Sequence, residues 1–193
     1  AKNHQVTILV RKRSAILIKD KNLTIVEGNV LDRHVVNDIL QGQEAVIQCL
    51  GVGGKGGRGD GKPTTFVSDA NQIIMQEMQK QGVQRLIAMS NIGAGNSLMF
   101  LPWLFRKIVL PYFMSWLQMI VDDKNRMEPM IINSDLDWTI VRCAGIVDKP
   151  AKEKVTATLD GKGLKFTITL GDLATFIVGQ LFERTYSKQM PSI

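Results

Sequence analysis

The sequence predicts an α/β fold in one domain, built on an open, doubly wound parallel sheet. Three observations carry this. Short aliphatic runs bounded by turn residues recur along the chain, as strands buried on both faces do. Segments of helical period lie between them, and such alternation with short connections implies parallel pairing through right-handed crossovers. At 193 residues, with 45% hydrophobic and 22% charged positions, the chain has the size and composition of one globular domain that needs neither disulfides nor metals. The domain is expected to span residues 1–193, with no metal site.

The first strand is expected at Val6 to Val10 and ends in Arg11, Lys12 and Arg13. In a Rossmann-like unit this strand end meets the adenosine ribose: an acid there accepts from the 2′-hydroxyl of NAD, and arginines there accommodate the 2′-phosphate of NADP. The chemistry here is cationic and points to NADPH. Strands follow at Leu23 to Val26, Ala45 to Leu50, Val83 to Met89 and Trp138 to Val141, with helices at Arg33 to Leu40, Thr64 to Gln81 and Asp122 to Asn133. The first 51 residues thus read as the second to fourth strands of the unit. The fold is expected to lack the first β-strand and helix in this stretch, with that strand, its glycine loop and its helix lying ahead of Ala1. In the 3-2-1-4-5-6 order its place is between Val6 to Val10 and Ala45 to Leu50. After Val147 the pattern changes: Val155 to Leu159 and Leu164 to Thr169 flank the turn pair Asp160-Gly161, which predicts a hairpin. A closing helix, capped near Gly171 and Asp172, is expected over Asp172 to Arg184.

Ser97 to Val121 stands apart, since Phe100, Trp103, Phe105, Tyr112, Phe113 and Trp116 are six of the chain's twelve aromatics. Its length suits a membrane span. Arg106 and Lys107 at mid-span and the helix breakers Pro102 and Pro111 oppose one, so a pair of short amphipathic helices is expected. This insert follows a strand's carboxyl end, where open α/β sheets place ligands. Three roles are open to it: a lid over a flat substrate, a homodimer face, or a peripheral membrane contact.

A net charge of +6, from 24 Lys and Arg against 18 Asp and Glu, favours phosphorylated ligands. The cations are scattered without aromatic interleaving, so nucleic acid is not the expected partner. Cys49 and Cys143 end apolar runs and read as reduced core thiols, and no secretory signal is visible; both suggest a cytoplasmic protein.

Gly51 to Lys62 holds glycines at two phosphate-loop spacings. A P-loop needs Ser or Thr after its lysine, and Pro63 stands there. A dinucleotide fingerprint should open its helix directly, whereas this helix waits until about Pro63. Neither motif is expected to be a primary site; Gly51 instead lets the chain pass close to a cofactor.

The segments VTILVRKR (from Val6), VEGNVLD (from Val26), AVIQCLG (from Ala45), GVQRLIAMSN (from Gly82), DDKNRMEP (from Asp122), LDWTIVR (from Leu136) and TLDGKG (from Thr158) together mark a resemblance. The chain resembles atypical short-chain dehydrogenase/reductase proteins of the NAD(P)H-binding, NmrA-like type, and within them the biliverdin-IXβ reductase and flavin reductase group. The resemblance implies that Arg11 and Arg13 grip the adenosine 2′-phosphate, that Asn29 and Val30 lie beside the adenine, and that Leu50 and Gly51 run along the cofactor. It implies further that Ser90, Asn91 and Lys124 form the catalytic edge, with Ser90 and Lys124 also touching cofactor, and that the backbone of Cys143, Ala144, Gly145 and Ile146 meets the nicotinamide carboxamide. One departure matters. Alcohol-ketone enzymes of this kind use Tyr-x-x-x-Lys as proton donor, but Tyr112 is followed by Trp116 and Tyr186 by Met190. A donor of that kind contributes about 10²- to 10⁴-fold, so the expected substrate is one that tolerates its loss: a small planar, conjugated acceptor such as a flavin, quinone or tetrapyrrole. The rival expectation is a non-catalytic redox sensor or scaffold that binds dinucleotide without turnover.

Overall fold

The computed structural model describes residues 4–52 and 62–193. Strand β1 (Val6–Val10) pairs with β2 (Leu23–Glu27), and β3 (Ala45–Gln48), β4 (Arg85–Asn91) and β5 (Asp137–Cys143) pair in that order, every neighbour parallel. The sheet is therefore split between β1 and β3, where the sequence expectation set an additional strand. Gln43 Nε2 meets Thr7 Oγ1 at 3.4 Å across the split.

Among the described residues four α-helices cover the strands: α1 (Arg33–Leu40), α2 (Phe66–Gln81), α3 (Ser115–Ile132) and α4 (Leu170–Phe182). Successive side chains of a strand point to opposite faces, and β4 shows where each face goes. Leu86 and Ala88 pack with Val36 of α1, Val67 and Met78 of α2 and Met127 and Ile131 of α3. Ile87, between them, packs with Leu173 and Ile177 of α4. Both faces are covered, which is why the strand reads as an unbroken apolar run; the fold is the Rossmann-like α/β arrangement expected.

Local chemistry sets the helix ends. Asp32 caps α1 by accepting from His34 N at 2.9 Å, and Gly82, at φ +72°, turns the chain out of α2 through the left-handed region. Thr65 makes no cap for α2. The buried Asp123 of α3 serves instead, accepting from Val67 N at 2.8 Å and Ser68 N at 3.2 Å.

Several expectations are corrected. Helix α3 begins at Ser115, not Asp122, and absorbs the end of the insert. The rest of the insert is a 3-10 turn at Gly95–Phe100 and a π-helix at Phe105–Phe113, whose Pro111 has no N–H to give. No hairpin forms around Asp160-Gly161: Asp160 Oδ1 instead accepts from Thr158 Oγ1 and Lys162 N, an Asx-type turn. The segment after it supplies β7 (Thr167–Thr169), which pairs in parallel with β6 (Gly145–Val147). Helix α4 is capped by Thr169, whose hydroxyl accepts from Asp172 N at 3.1 Å. Cys49 is exposed rather than core, because β3 ends at Gln48; Cys143 is buried, and both are free thiols.

The chain's last residues run along the outer edge of β5. Lys188 N donates to Trp138 O at 2.7 Å, Ile140 N to Gln189 O at 3.1 Å and Arg142 N to Pro191 O at 2.9 Å, so these edge groups of β5 are satisfied. Among the described residues no helix is long and apolar enough to cross a membrane.

Candidate functional site

Because the strands are parallel, their carboxyl ends share one edge of the sheet, and the candidate residues gather there in two layers. The outer layer is solvent-exposed. Arg11 and Arg13 follow β1 and both are exposed. The arm of Arg13 is fastened to the next strand, with its backbone N–H donating to the Glu27 carboxylate at 2.8 Å and Nη1 to Ile25 O at 3.1 Å. Asn29, after β2, is exposed and holds its own turn by accepting from Leu31 N at 3.0 Å, while Val30 packs on the core. Gly51, after β3, is exposed, and a Cβ built on it would meet nothing within 4 Å. Gly145 and Ile146 are exposed after β5; Leu50, Asn91 and Ala144 are half-buried. The glycine stretch 53–61 that suggested phosphate-loop spacings lies outside the described residues.

Beneath this lies a buried polar layer. Lys124 is only 3% exposed, and its Nζ donates to Met89 O at 2.8 Å and Leu50 O at 3.3 Å, tying the ends of β3 and β4 together. Burial pulls this amine down to about 8, against the charges of Cys143, Asp123, Glu128 and Cys49, which favour its protonated form. Ser90, 1% exposed, donates from Oγ to Glu128 Oε1 at 2.7 Å. Cys143 donates from Sγ to Ser90 O at 3.3 Å, and burial pushes its thiol up to about 11.

The structure thus brings Leu50, Ser90, Lys124 and Cys143 together, but turns the last three inward. Ser90 and Lys124, expected to touch ligand, each already have a protein partner, and the Cys143 thiol is buried beside them. The loop after β5 is likewise occupied: Cys143 O accepts from Ile92 N at 3.1 Å, Ala144 N donates to Ile193 O at 3.0 Å and Gly145 N to Phe166 O at 3.1 Å. Two members of the buried layer, Glu128 and Arg142, had no expected role. A signal was present, since an arginine ending an apolar strand needs a buried partner, and Glu128 lies one turn from Lys124 on the same helix face.

The donor set suits a phosphorylated dinucleotide: two exposed guanidinium groups for phosphate oxygens at the adenosine end, and an open glycine flank further along. The insert follows β4 in the chain, with Met99 74%, Trp103 63%, Tyr112 78% and Phe113 75% exposed. Among the described residues no cluster of three or more His, Cys, Asp or Glu could hold a metal ion.

Solved structures of known proteins share this architecture. ChuY, an anaerobillin reductase from Escherichia coli O157:H7, is 20% identical with a TM-score of 0.74, over 96% of this chain and 82% of that one. The oxidoreductase YlbE from Lactococcus lactis is 17% identical with a TM-score of 0.76, over 99% of this chain and 80% of that one. A short-chain dehydrogenase/reductase of the wide type from Veillonella parvula, in complex with NADP, is 14% identical with a TM-score of 0.76, over 97% of this chain and 81% of that one. At such identities the likeness is one of fold. A family model described as NAD(P)H-binding matches residues 1–184. The chain belongs to that NAD(P)H-binding family, with the Rossmann-like oxidoreductase fold its strands and helices build.

Proposed function

We propose that the protein is a cytoplasmic NADPH-dependent reductase that delivers hydride to a small planar, conjugated acceptor, of the class of flavins, quinones and linear tetrapyrroles. The observation that carries the reading is that exposed Arg11 and Arg13, exposed Gly51 and the aromatic insert each follow the carboxyl end of a parallel strand, β1, β3 and β4 in turn. A relative of the same fold is bound to NADP, and another is an anaerobillin reductase, which supports both halves of the proposal.

In this reading Arg11 and Arg13 hold the 2′-phosphate, Asn29 and Val30 flank the adenine, and the backbone at Leu50 and Gly51 follows the cofactor. Asn91 and the carbonyl side of residues 144–146 orient the nicotinamide, while the exposed rings of Trp103, Tyr112 and Phe113 stack over the acceptor and exclude water. NADPH supplies the hydride. Neither expected proton donor is placed: Tyr112 has no lysine four residues on, and the hydroxyl hydrogen of Ser90 is committed to Glu128. A conjugated acceptor spreads the arriving charge and takes its proton from solvent, so mutual orientation of the two rings carries the rate.

The test is to mix the intact protein with NADPH and each of several acceptors, and to follow the reduced nicotinamide absorbance. Oxidation that depends on protein and acceptor supports the proposal. Binding of NADPH without oxidation by flavin, quinone or tetrapyrrole would leave a dinucleotide-binding sensor or scaffold in its place.

A further inference from the structure

We propose that Glu128 and Arg142 are positioning residues for this reaction, forming one buried ion pair that holds the end of β4 and the root of the aromatic insert in a single geometry. The proposal rests on the reductase reading above and adds to it the residues that set the acceptor's position.

Both side chains are almost fully buried. Arg142 approaches the carboxylate as a fork, Nε to Oε1 at 3.0 Å and Nη2 to Oε2 at 2.6 Å. Two further arms leave the pair. One is Ser90 Oγ, which donates to Glu128 Oε1 at 2.7 Å and belongs to β4 one residue before Asn91. The other is Arg142 Nη1, which donates to Asn96 Oδ1 at 2.6 Å in the 3-10 turn that starts the insert. Gly95 fits between the arms only because it lacks a side chain: a Cβ there would stand 2.7 Å from Arg142 Nη2 and 2.9 Å from Glu128 Oε2.

A buried ion pair is weak evidence for stability, since apolar residues of similar volume often serve as well. What apolar residues could not do is join four separate segments, β4, α3, β5 and the turn at Asn96, by directed bonds. Lys124, one turn earlier on α3, fixes Met89 O while Glu128 fixes the Ser90 hydroxyl, so consecutive residues of β4 are held from consecutive turns of one helix. Asn91 and the insert's aromatic rings are thereby referred to the same anchor. Freeing either arm lets the acceptor wall drift relative to the nicotinamide, and a misplacement of about 1 Å costs about 10²-fold in rate.

Two variants of the intact protein test this. Asn96→Ala removes an exposed residue and cuts only the insert's arm; Glu128→Gln keeps an oxygen for Ser90 but loses the charge that holds the arginine fork. Melting temperature, NADPH dissociation constant, kcat and the rate of tryptic cleavage after Lys107 are read for each. The expected result for Asn96→Ala is an unchanged melting temperature, NADPH affinity within about twofold, kcat lower by about 10- to 100-fold, and faster cleavage. Glu128→Gln leaves the buried Arg142 charge without its counter-ion, so it should lower the melting temperature as well, with kcat per folded molecule falling further than in Asn96→Ala. If kcat and cleavage in Asn96→Ala match the parent protein, or if activity falls only in step with loss of folded protein, the positioning role is overturned. Should the parent protein oxidise no NADPH with any acceptor, the reductase reading fails by itself; the cleavage arm still decides the coupling, and unchanged cleavage in both variants overturns it.

Discussion

Replacing Lys124 with methionine should flatten the dependence of stability on pH between neutrality and pH 9. The amine is buried, and its pKa is lowered from 10.5 to about 8. Below pH 8 the group is protonated in folded and unfolded chains alike, and the folded state bears the full cost of burying the charge. Between about 8 and 10.5 the unfolded chain keeps a proton that the folded chain has released, so stability rises with pH. The full shift corresponds to about 3 kcal/mol, of which about 1 kcal/mol is recovered between pH 7 and 9. Cys143 works in the opposite sense at higher pH: its thiol is raised to about 11 from 9.0, so the unfolded chain ionises first and stability falls. A Cys143→Ala background removes that contribution. Urea unfolding of this background with and without Lys124→Met, followed by tryptophan fluorescence at several pH values, isolates the lysine. Met89 O and Leu50 O lose their donor in the methionine variant, so the slope rather than the absolute stability is the quantity compared. Parallel curves for the two proteins would refute the reasoning, since they would mean that the amine is hydrated in the folded state.

Other substitutions probe the same scaffold. Gly95→Ala sets a Cβ against the Glu128–Arg142 pair at a positive φ, and should lower stability by about 1–3 kcal/mol in denaturant titration. Asp123→Ala orphans two buried N–H groups at the start of α2 and should cost about 2–4 kcal/mol, with Asp123→Asn recovering part of it through its single amide oxygen. In Gly161→Ala the new Cβ would lie 2.6 Å from Phe100 Cγ at φ +82°, so tryptic cleavage after Lys107 should accelerate as Phe100 is pushed off its turn.

The fold was legible wherever burial imposes a pattern. Strand β4 lies between two helical layers and reads as LIAMS with no polar relief until Ser90, and α1 shows its Val36, Ile39 and Leu40 stripe together with its Asp32 cap. What escaped was held by long-range or directional bonds. The terminal residues beside β5 join it through backbone groups, which leave no hydrophobic period. The turn pair Asp160-Gly161 suits a hairpin locally, but its flanks are claimed by β6 and by Ser192. At the site, the positions Ser90, Lys124 and Cys143 were read as one cluster and do form one; their direction was not legible, because it is set by Glu128, Arg142 and two strand carbonyls distant in sequence. A lysine on an amphipathic helix looks the same in a sequence whether its amine reaches water or caps a strand end.

Selection of NADPH by the end of β1 is tested most directly by the dissociation constants of NADPH and of NADH for the parent protein and for Arg11→Ala, Arg13→Ala and the double variant. A charge-assisted bond to phosphate contributes about 1.5–3 kcal/mol, so each arginine removed should weaken NADPH by about 10- to 100-fold, with NADH unchanged. Equal affinity for the two nucleotides in the parent protein, or an NADPH affinity that survives loss of both arginines, would contradict the account.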